Sequence, residues 1–282
     1  MLIKVLKQKD FPALLQEIHD PPRSLYVRGK IPQTKQYIAV VGPRKCSRYA
    51  REVVRYLISR LEGYDVTIVS GLALGIDAEA HAEALKAGLP TLAVLGSGIA
   101  DEFIYPRSNF GLAQEILKSG GALISEYNNE QAHPHYFIAR NRIISGLCQN
   151  ILVAEAPKKS GALITADYAL SQNRDVLTFP SKILETSGYG TNQLLKDGAY
   201  LITEADDLIT KLDFSKKDQK EIPCKFSTVE KSILTALSCE SLSLDNLCDK
   251  LDLSPEILLS NLTNLELLGK VRNLGNQNYI KV

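Results

Sequence analysis

The chain has 282 residues, 45% hydrophobic and 23% charged, with a formal net charge of +1. These are ordinary globular values, which exclude wholesale disorder, and the length suits one large domain and a small one. Residues 1–212 hold 24 Lys and Arg against 22 Asp and Glu, and the remainder 9 against 10, so any polyanion site must be a local focus of charge.

Residues 1–36 read as a short lead-in: FPALLQEIHD as a brief helix, then a turn at the paired prolines and an extended RSLYVRGKIP. YIAVVG (37–42) is a continuous apolar run, as expected of a strand covered on both faces of a parallel sheet. It ends in GPRKCS, and SRYAREVVRYLISRL then spaces its apolar residues as a helical stripe. The unit repeats. DVTIVS, TLAVLG, ALISEY, ILVAEA, DVLTFP and AYLIT are read as strands, each followed by a helical segment. This alternation predicts a doubly wound, mostly parallel α/β sheet over residues 37–212. SKKDQKEIPCKF is charged and broken by proline, which marks a linker over 213–226. Residues 227–282 read as three helices and a hairpin, a winged-helix module. Its third helix carries Glu256 and Glu266 and no Lys or Arg, which favours a protein contact over a DNA-reading role.

In such sheets ligands sit beyond the carboxyl ends of the strands. Gly42, Arg44, Ser70, Gly71, Gly75 and Gly98 occupy those ends. Turn chemistry accounts for any one of these glycines; several along one edge suggest a ligand backbone that approaches closely. FIARNRIISGL (137–147) is read as a helix beginning near Arg140, with guanidiniums and free N–H groups turned to an anion. The alternative is two arginines in structural salt bridges. Arg44, Arg107, Arg140, Arg142, Lys158 and Lys159, interleaved with Asn109, Asn141 and Ser160, would form a track longer than one mononucleotide. Phe103, Tyr105, Tyr136 and Phe137 lie nearby and are candidates for base stacking or for ordinary core packing.

Several classes find no support. The dinucleotide fingerprint, the phosphate-loop motif and the nucleophile elbow G-x-S-x-G are all missing. The five cysteines are scattered without a C-x-x-C pair, which argues against zinc or a disulfide scaffold. No metal or cofactor is expected. No apolar run approaches the roughly 20 residues of a membrane span, and a cytoplasmic protein is predicted.

GPRKCS, SGLALGID, GSGIADEFIYPRSN, ISEY, FIARNRIISGL, AEAPKKSGALIT, NRDVLTFP and GTNQLLKDGA resemble, in order and spacing, the DNA-processing protein A family, also called Smf. The resemblance covers about residues 20 to 210. It implies an extended Rossmann domain that is not an enzyme. Such a domain would bind single-stranded DNA, protect incoming strands in natural transformation, load the RecA recombinase and form homodimers. It also implies a carboxyl-terminal winged-helix domain. By the same resemblance the DNA-contacting positions fall on Arg44, Arg107, Arg140, Asn141, Arg142, Ser160, Gly161 and Thr165. Two departures are Pro43, where a small residue with an N–H is usual, and Ser181, where glycine is usual. Leu194, Leu195 and Leu201 are the candidate dimer surface, unless they face the core. The rival class is a phosphoribohydrolase-like enzyme on a related fold, with Glu126 or Glu155 as its catalytic carboxylate, although that group's P-G-G-x-G-T-x-x-E signature is absent.

Overall fold

The computed structural model describes residues 2–215, 218–219, 227–237, 241–267, 270–275 and 278–281. The chain divides into two compact units, Met1–Glu221 and Ile222–Val282. The first opens with β1 (Ile3–Lys7), a short helix α1 (Ala13–Gln16) and β2 (Ser24–Gly29). Next come β3 (Gln36–Val41), α2 (Arg48–Ser59), β4 (Val66–Ser70), α3 (Ile76–Lys86) and β5 (Thr91–Val94). They are followed by α4 (Phe110–Lys118), β6 (Ala122–Ser125), α5 (Pro134–Leu147), β7 (Asn150–Val153) and α6 (Gly161–Ser171). The unit closes with β8 (Asp175–Thr178), α7 (Tyr189–Lys196), β9 (Tyr200–Leu201) and α8 (Ala205–Lys211).

One sheet holds these nine strands in the order β1-β2-β6-β5-β4-β3-β7-β8-β9. From β6 to β9 every neighbouring pair is parallel. The period-two pleat sorts β3 between two cores: Ile38 and Val40 pack with α2 and α3 on one face, Ala39 and Val41 with α5 and α6 on the other. Both faces are covered, and that is why the strands read as unbroken apolar runs. The chain starts its parallel sheet at β3, builds outward to β6, then crosses back through α5 to lay β7 on the other side of β3. This reversal places a crevice at the carboxyl end of β3.

Two boundaries differ from the sequence reading. The lead-in is part of the sheet: β2 pairs antiparallel with β6, and β1 with β2. β1 is largely exposed and carries Lys4 and Lys7, and β2 buries Arg28 in an ion pair with Asp101, so neither shows the unbroken apolar run of a buried strand. At the other end Phe214 is buried against Tyr64 in the first core, so that unit extends past residue 212. The rest of the expected linker, 216–217 and 220–226, lies outside the described residues.

The second unit contains α9 (Thr228–Ala236), β10 (Leu242–Ser243), α10 (Leu244–Leu251), α11 (Pro255–Leu267), β11 (Val271–Gly275) and β12 (Asn278–Lys281). A capping box at Ser227 and Glu230 starts α9. β11 and β12 form the antiparallel hairpin, with β10 beside β12. Three helices and this small sheet are a winged helix, closed over Ile233, Leu247, Leu258 and Leu262.

Candidate nucleic-acid interface

The crevice is a cavity of about 710 Å³. On one side it is lined by the β3 exit, Gly42, Pro43 and Arg44, and by Asp77 of α3. On the other side stand Phe137, Arg140 and Asn141 of α5, and Lys159, Ser160, Gly161 and Thr165 at the start of α6.

α5 decides what each member of the R-N-R triplet can do. Its first helical residue is Pro134, a favoured position for proline, so Arg140 lies in the second turn and not at the start as expected. Ile143, Ile144 and Leu147 bury one face of α5 against the sheet. Arg140 stands one turn before Ile143 and Ile144 on that same face and is 5% exposed. It donates through Nη1 to the carbonyl of Gly71 at 2.7 Å and to that of Val94, capping the ends of β4 and β5. Asn141 accepts from Arg140 Nε and donates to the Gly161 carbonyl, which ties α5 to α6. Arg142 lies about 200° around the helix from Arg140. It points away from the crevice and is ion-paired with Glu126 at 2.8 Å and Asp20 at 3.0 Å. Arg142 thus makes the structural salt bridges of the alternative reading.

Beneath the crevice lies a polar layer. Asp77 accepts the N–H groups of Gly71 and Ala73 and faces Arg140. Burial raises the Asp77 carboxyl, with Arg140 as the main opposing influence, and burial lowers Arg140 in turn. His81 is fully buried; its Nδ1 meets the Thr91 hydroxyl at 2.7 Å, and burial pushes its pKa down to about 3. Ser70 donates to the Val40 carbonyl and Asn109 to those of Leu72 and Ala73, so both hold the β4 turn from below.

The glycines approach protein backbone and side chains closely instead of a ligand. A Cβ at Gly71 would enter the Arg140 guanidinium, one at Gly42 would meet Ile76 at 2.5 Å, and one at Gly98 would strike the Asn128 carbonyl. Gly75 has φ +79° and sits against the Pro43 and Arg44 carbonyls. Only Gly161, among the glycines singled out from sequence, has open space where a Cβ would stand. Arg107 does not line the cavity: it lies over the Phe110 ring and donates to the Asp101 carbonyl. Lys158 is 5.5 Å from the Tyr189 ring and also stands off the cavity. Ser160 caps α6 by accepting from Ala162 N–H, and Thr165 bonds back to the Gly161 carbonyl.

What remains facing the solvent is compact. The exposed Arg44 guanidinium lies 5.1 Å from the Phe137 ring, and Tyr105 lies 5.7 Å from that ring. Lys159 and the α6 amino terminus form the opposite wall. Among the described residues neither Arg44 nor Lys159 has a carboxylate partner. Free cations, the exposed Tyr105 beside the half-buried Phe137, and a helix amino terminus at one mouth can hold phosphates and stack a base. Glu126 is taken by Arg142, and Glu155 accepts the Ser47 N–H at 2.8 Å, so both carboxylates named for the rival chemistry serve the fold. Neither lines the cavity.

Residues 3–213 match the family described as DNA recombination-mediator protein A, and residues 219–277 match the DprA winged helix domain. The chain belongs to the DNA recombination-mediator protein A family. The DNA processing protein DprA of Streptococcus pneumoniae is 40% identical over 206 residues, 72% of each chain. Protein Smf of Escherichia coli is also 40% identical over 206 residues, 72% of this chain and 54% of that one. Among solved structures, the Streptococcus pneumoniae family member superposes with a TM-score of 0.68 at 37% identity, over 76% of this chain and 75% of that one. DNA processing protein A from Helicobacter pylori, described for its single-stranded DNA binding mode, gives the same TM-score at 29% identity, over 76% of this chain and 97% of that one.

Proposed function

We propose that this member of the recombination-mediator family binds single-stranded DNA at the switch-point crevice, protects incoming strands and passes them to the RecA recombinase. The observation that carries the reading is Arg44, an unpaired guanidinium laid on the Phe137 ring at the crevice mouth. Arg44 and Lys159 attract the phosphates, the α6 amino terminus adds N–H donors, and Phe137 with Tyr105 takes a base without reading its identity. Arg140, Asn141, Asp77 and Asn109 act beneath, fixing the turns that carry these groups. The relative from Helicobacter pylori supports the ligand class; the family's description as a recombination mediator supports a handover to a recombinase.

The test is binding of a fluorescent single-stranded oligonucleotide across a salt series. Arg44→Ala and Lys159→Ala each weaken binding, and each lowers the slope of log K against log salt by about 0.7, the value for one lost phosphate contact on a single strand. Arg142→Ala leaves the slope as it is. Unchanged affinity in both Arg44→Ala and Lys159→Ala would remove the reading.

Homodimerisation belongs to the same proposal, with a revised surface. Leu194 is 9% exposed and packs in the core, and Leu195 is half-buried. Leu201, on the short edge strand β9, is exposed, as are Ile183 at 93% and Leu184 at 97%. An exposed leucine on an open sheet edge, with two more large apolar side chains exposed in the segment before α7, supports a self-association surface.

A further inference from the structure

Just before and at the start of α5 stands a group of rings that the crevice does not use. Tyr127 and Tyr136 stack at 3.8 Å between centroids with 25° between planes. His135 lies 4.3 Å from Tyr136, and His133 lies 4.1 Å from His135. His133 and His135 are exposed and the two tyrosines half-buried. None of the four belongs to a hydrophobic core cluster. The segment that carries them also supplies Gln131, Pro134 and Phe137 to the crevice wall, so the rings continue that wall outward.

We propose that His133, His135, Tyr136 and Tyr127 form a second stacking platform, which takes nucleobases of a single strand where it leaves the crevice. The inference rests on the crevice being the single-strand site. Two features argue for bases and against phosphates as the occupants. Carboxylates stand in the group: Glu130 accepts the Tyr136 hydroxyl at 2.5 Å, Glu126 lies by Tyr127 with Arg142 as its ion-pair partner, and the Glu130 charge, unpaired among the described residues, repels phosphate. Exposed ring faces, by contrast, accept any base, because every base has a π face. The platform is also held in place before any strand arrives. Gly98 N–H donates to the Glu130 carbonyl at 2.8 Å, and Tyr127 N–H donates to Ser125 Oγ at 3.0 Å. At Gly96 a Cβ would press on the Phe137 ring and the Tyr136 backbone. These contacts seat the segment on the β5 exit, and a surface fixed in advance loses little freedom on binding. The G-S-G turn thus has a use besides turn geometry: it lets the ring-bearing segment lie close.

The platform is tested with oligonucleotides of about 5 and about 20 nucleotides, lengths that bracket one and several stacking sites. The full-length chain is compared with His133→Ala/His135→Ala, His133→Phe/His135→Phe and Arg44→Ala. The alanine pair weakens the longer oligonucleotide by about fivefold or more and spares the shorter one, with an unchanged salt slope. The phenylalanine pair restores binding. Both pairs are surface changes that leave the fold intact, which circular dichroism verifies. Equal affinity of the alanine pair and the parent for the longer strand overturns the platform; so does equal loss on both lengths, or failure of phenylalanine to restore binding. Arg44→Ala reports on the crevice separately: its loss on both lengths upholds the crevice, whatever the histidine pair shows. Unchanged binding in Arg44→Ala alongside loss in the alanine pair would move the site from the crevice to the rings.

Discussion

Arg140 and Arg142 are two positions apart and do different things, because two positions on a helix are never one face. Arg140 shares the sheet side with Ile143 and Ile144, while Arg142 is held outside by Glu126 and Asp20. Gly71 is the counterpart of that arrangement. Gly71→Ala is expected to destabilise the protein by about 1–3 kcal/mol through overpacking against the Arg140 guanidinium, measured as a lower urea midpoint; an unaltered midpoint would contradict the close approach. His81 makes a pH prediction with a definite sign. An unfolded histidine takes its proton near pH 6.5, and burial lowers the folded value to about 3. The folded value is depressed, so between these limits the unfolded chain holds the extra proton and stability falls as pH falls. This one group removes about 2 kcal/mol between about pH 7 and about pH 5. Urea melts of His81→Gln are expected to show a pH dependence flatter by that amount, and equal dependence in both proteins would refute it. At this scale the sequence reveals residue types better than their duties. The basic triplet and the strand-end glycines were visible, but their direction depends on where α5 begins and on which element each glycine touches. Arg44 is legible as a site candidate because it follows a strand's carboxyl end, where ligands of such sheets sit, whereas for Phe137 the sequence leaves stacking and core packing both open.

Elements were easier to read than residues. The parallel strands β3 to β8 appear in the sequence as apolar runs ending in small or turn-forming residues, because burial on both faces removes any alternation. β1 and β2 do not read as sheet members: on the edge strand β1 the exposed Lys4 and Lys7 interrupt the apolar pattern, and on β2 the buried Arg28, paired with Asp101, does so. The basic triplet sets the expected start of α5 about one and a half turns late, whereas a proline in its favoured first helical position, Pro134, opens the helix. The proposed dimer surface differs from the expected one for a related reason. Leucines on α7 looked available from spacing alone, yet Leu194 is needed to close the core, while the neighbouring segment before α7 exposes Ile183 and Leu184. Ile183→Glu/Leu184→Glu is expected to convert a dimer into a monomer in sedimentation velocity without lowering the melting temperature. A dimer that persists in that variant would place the interface elsewhere.

For the whole molecule, the division of labour follows from charge and from the crevice. The free cations and ring pair described above all belong to Met1–Glu221. In Ile222–Val282, α11 presents Glu256, Ile257 and Leu259 and carries no Lys or Arg. That is a poor surface for a phosphate backbone and a better one for a protein. A chain ending after residue 221 is therefore expected to keep most of its single-strand affinity in the same oligonucleotide titration, and near-total loss would assign binding to the winged helix. Ending it at 212 would instead remove Phe214 from the core and confuse lost binding with lost folding. The most direct measurement is a photo-crosslink from a single-stranded oligonucleotide carrying a reactive thymidine analogue, mapped to peptides by mass spectrometry. Crosslinks at Tyr105 and Phe137 are the predicted result. Crosslinks confined to residues 227–282, with none around the crevice, would contradict it.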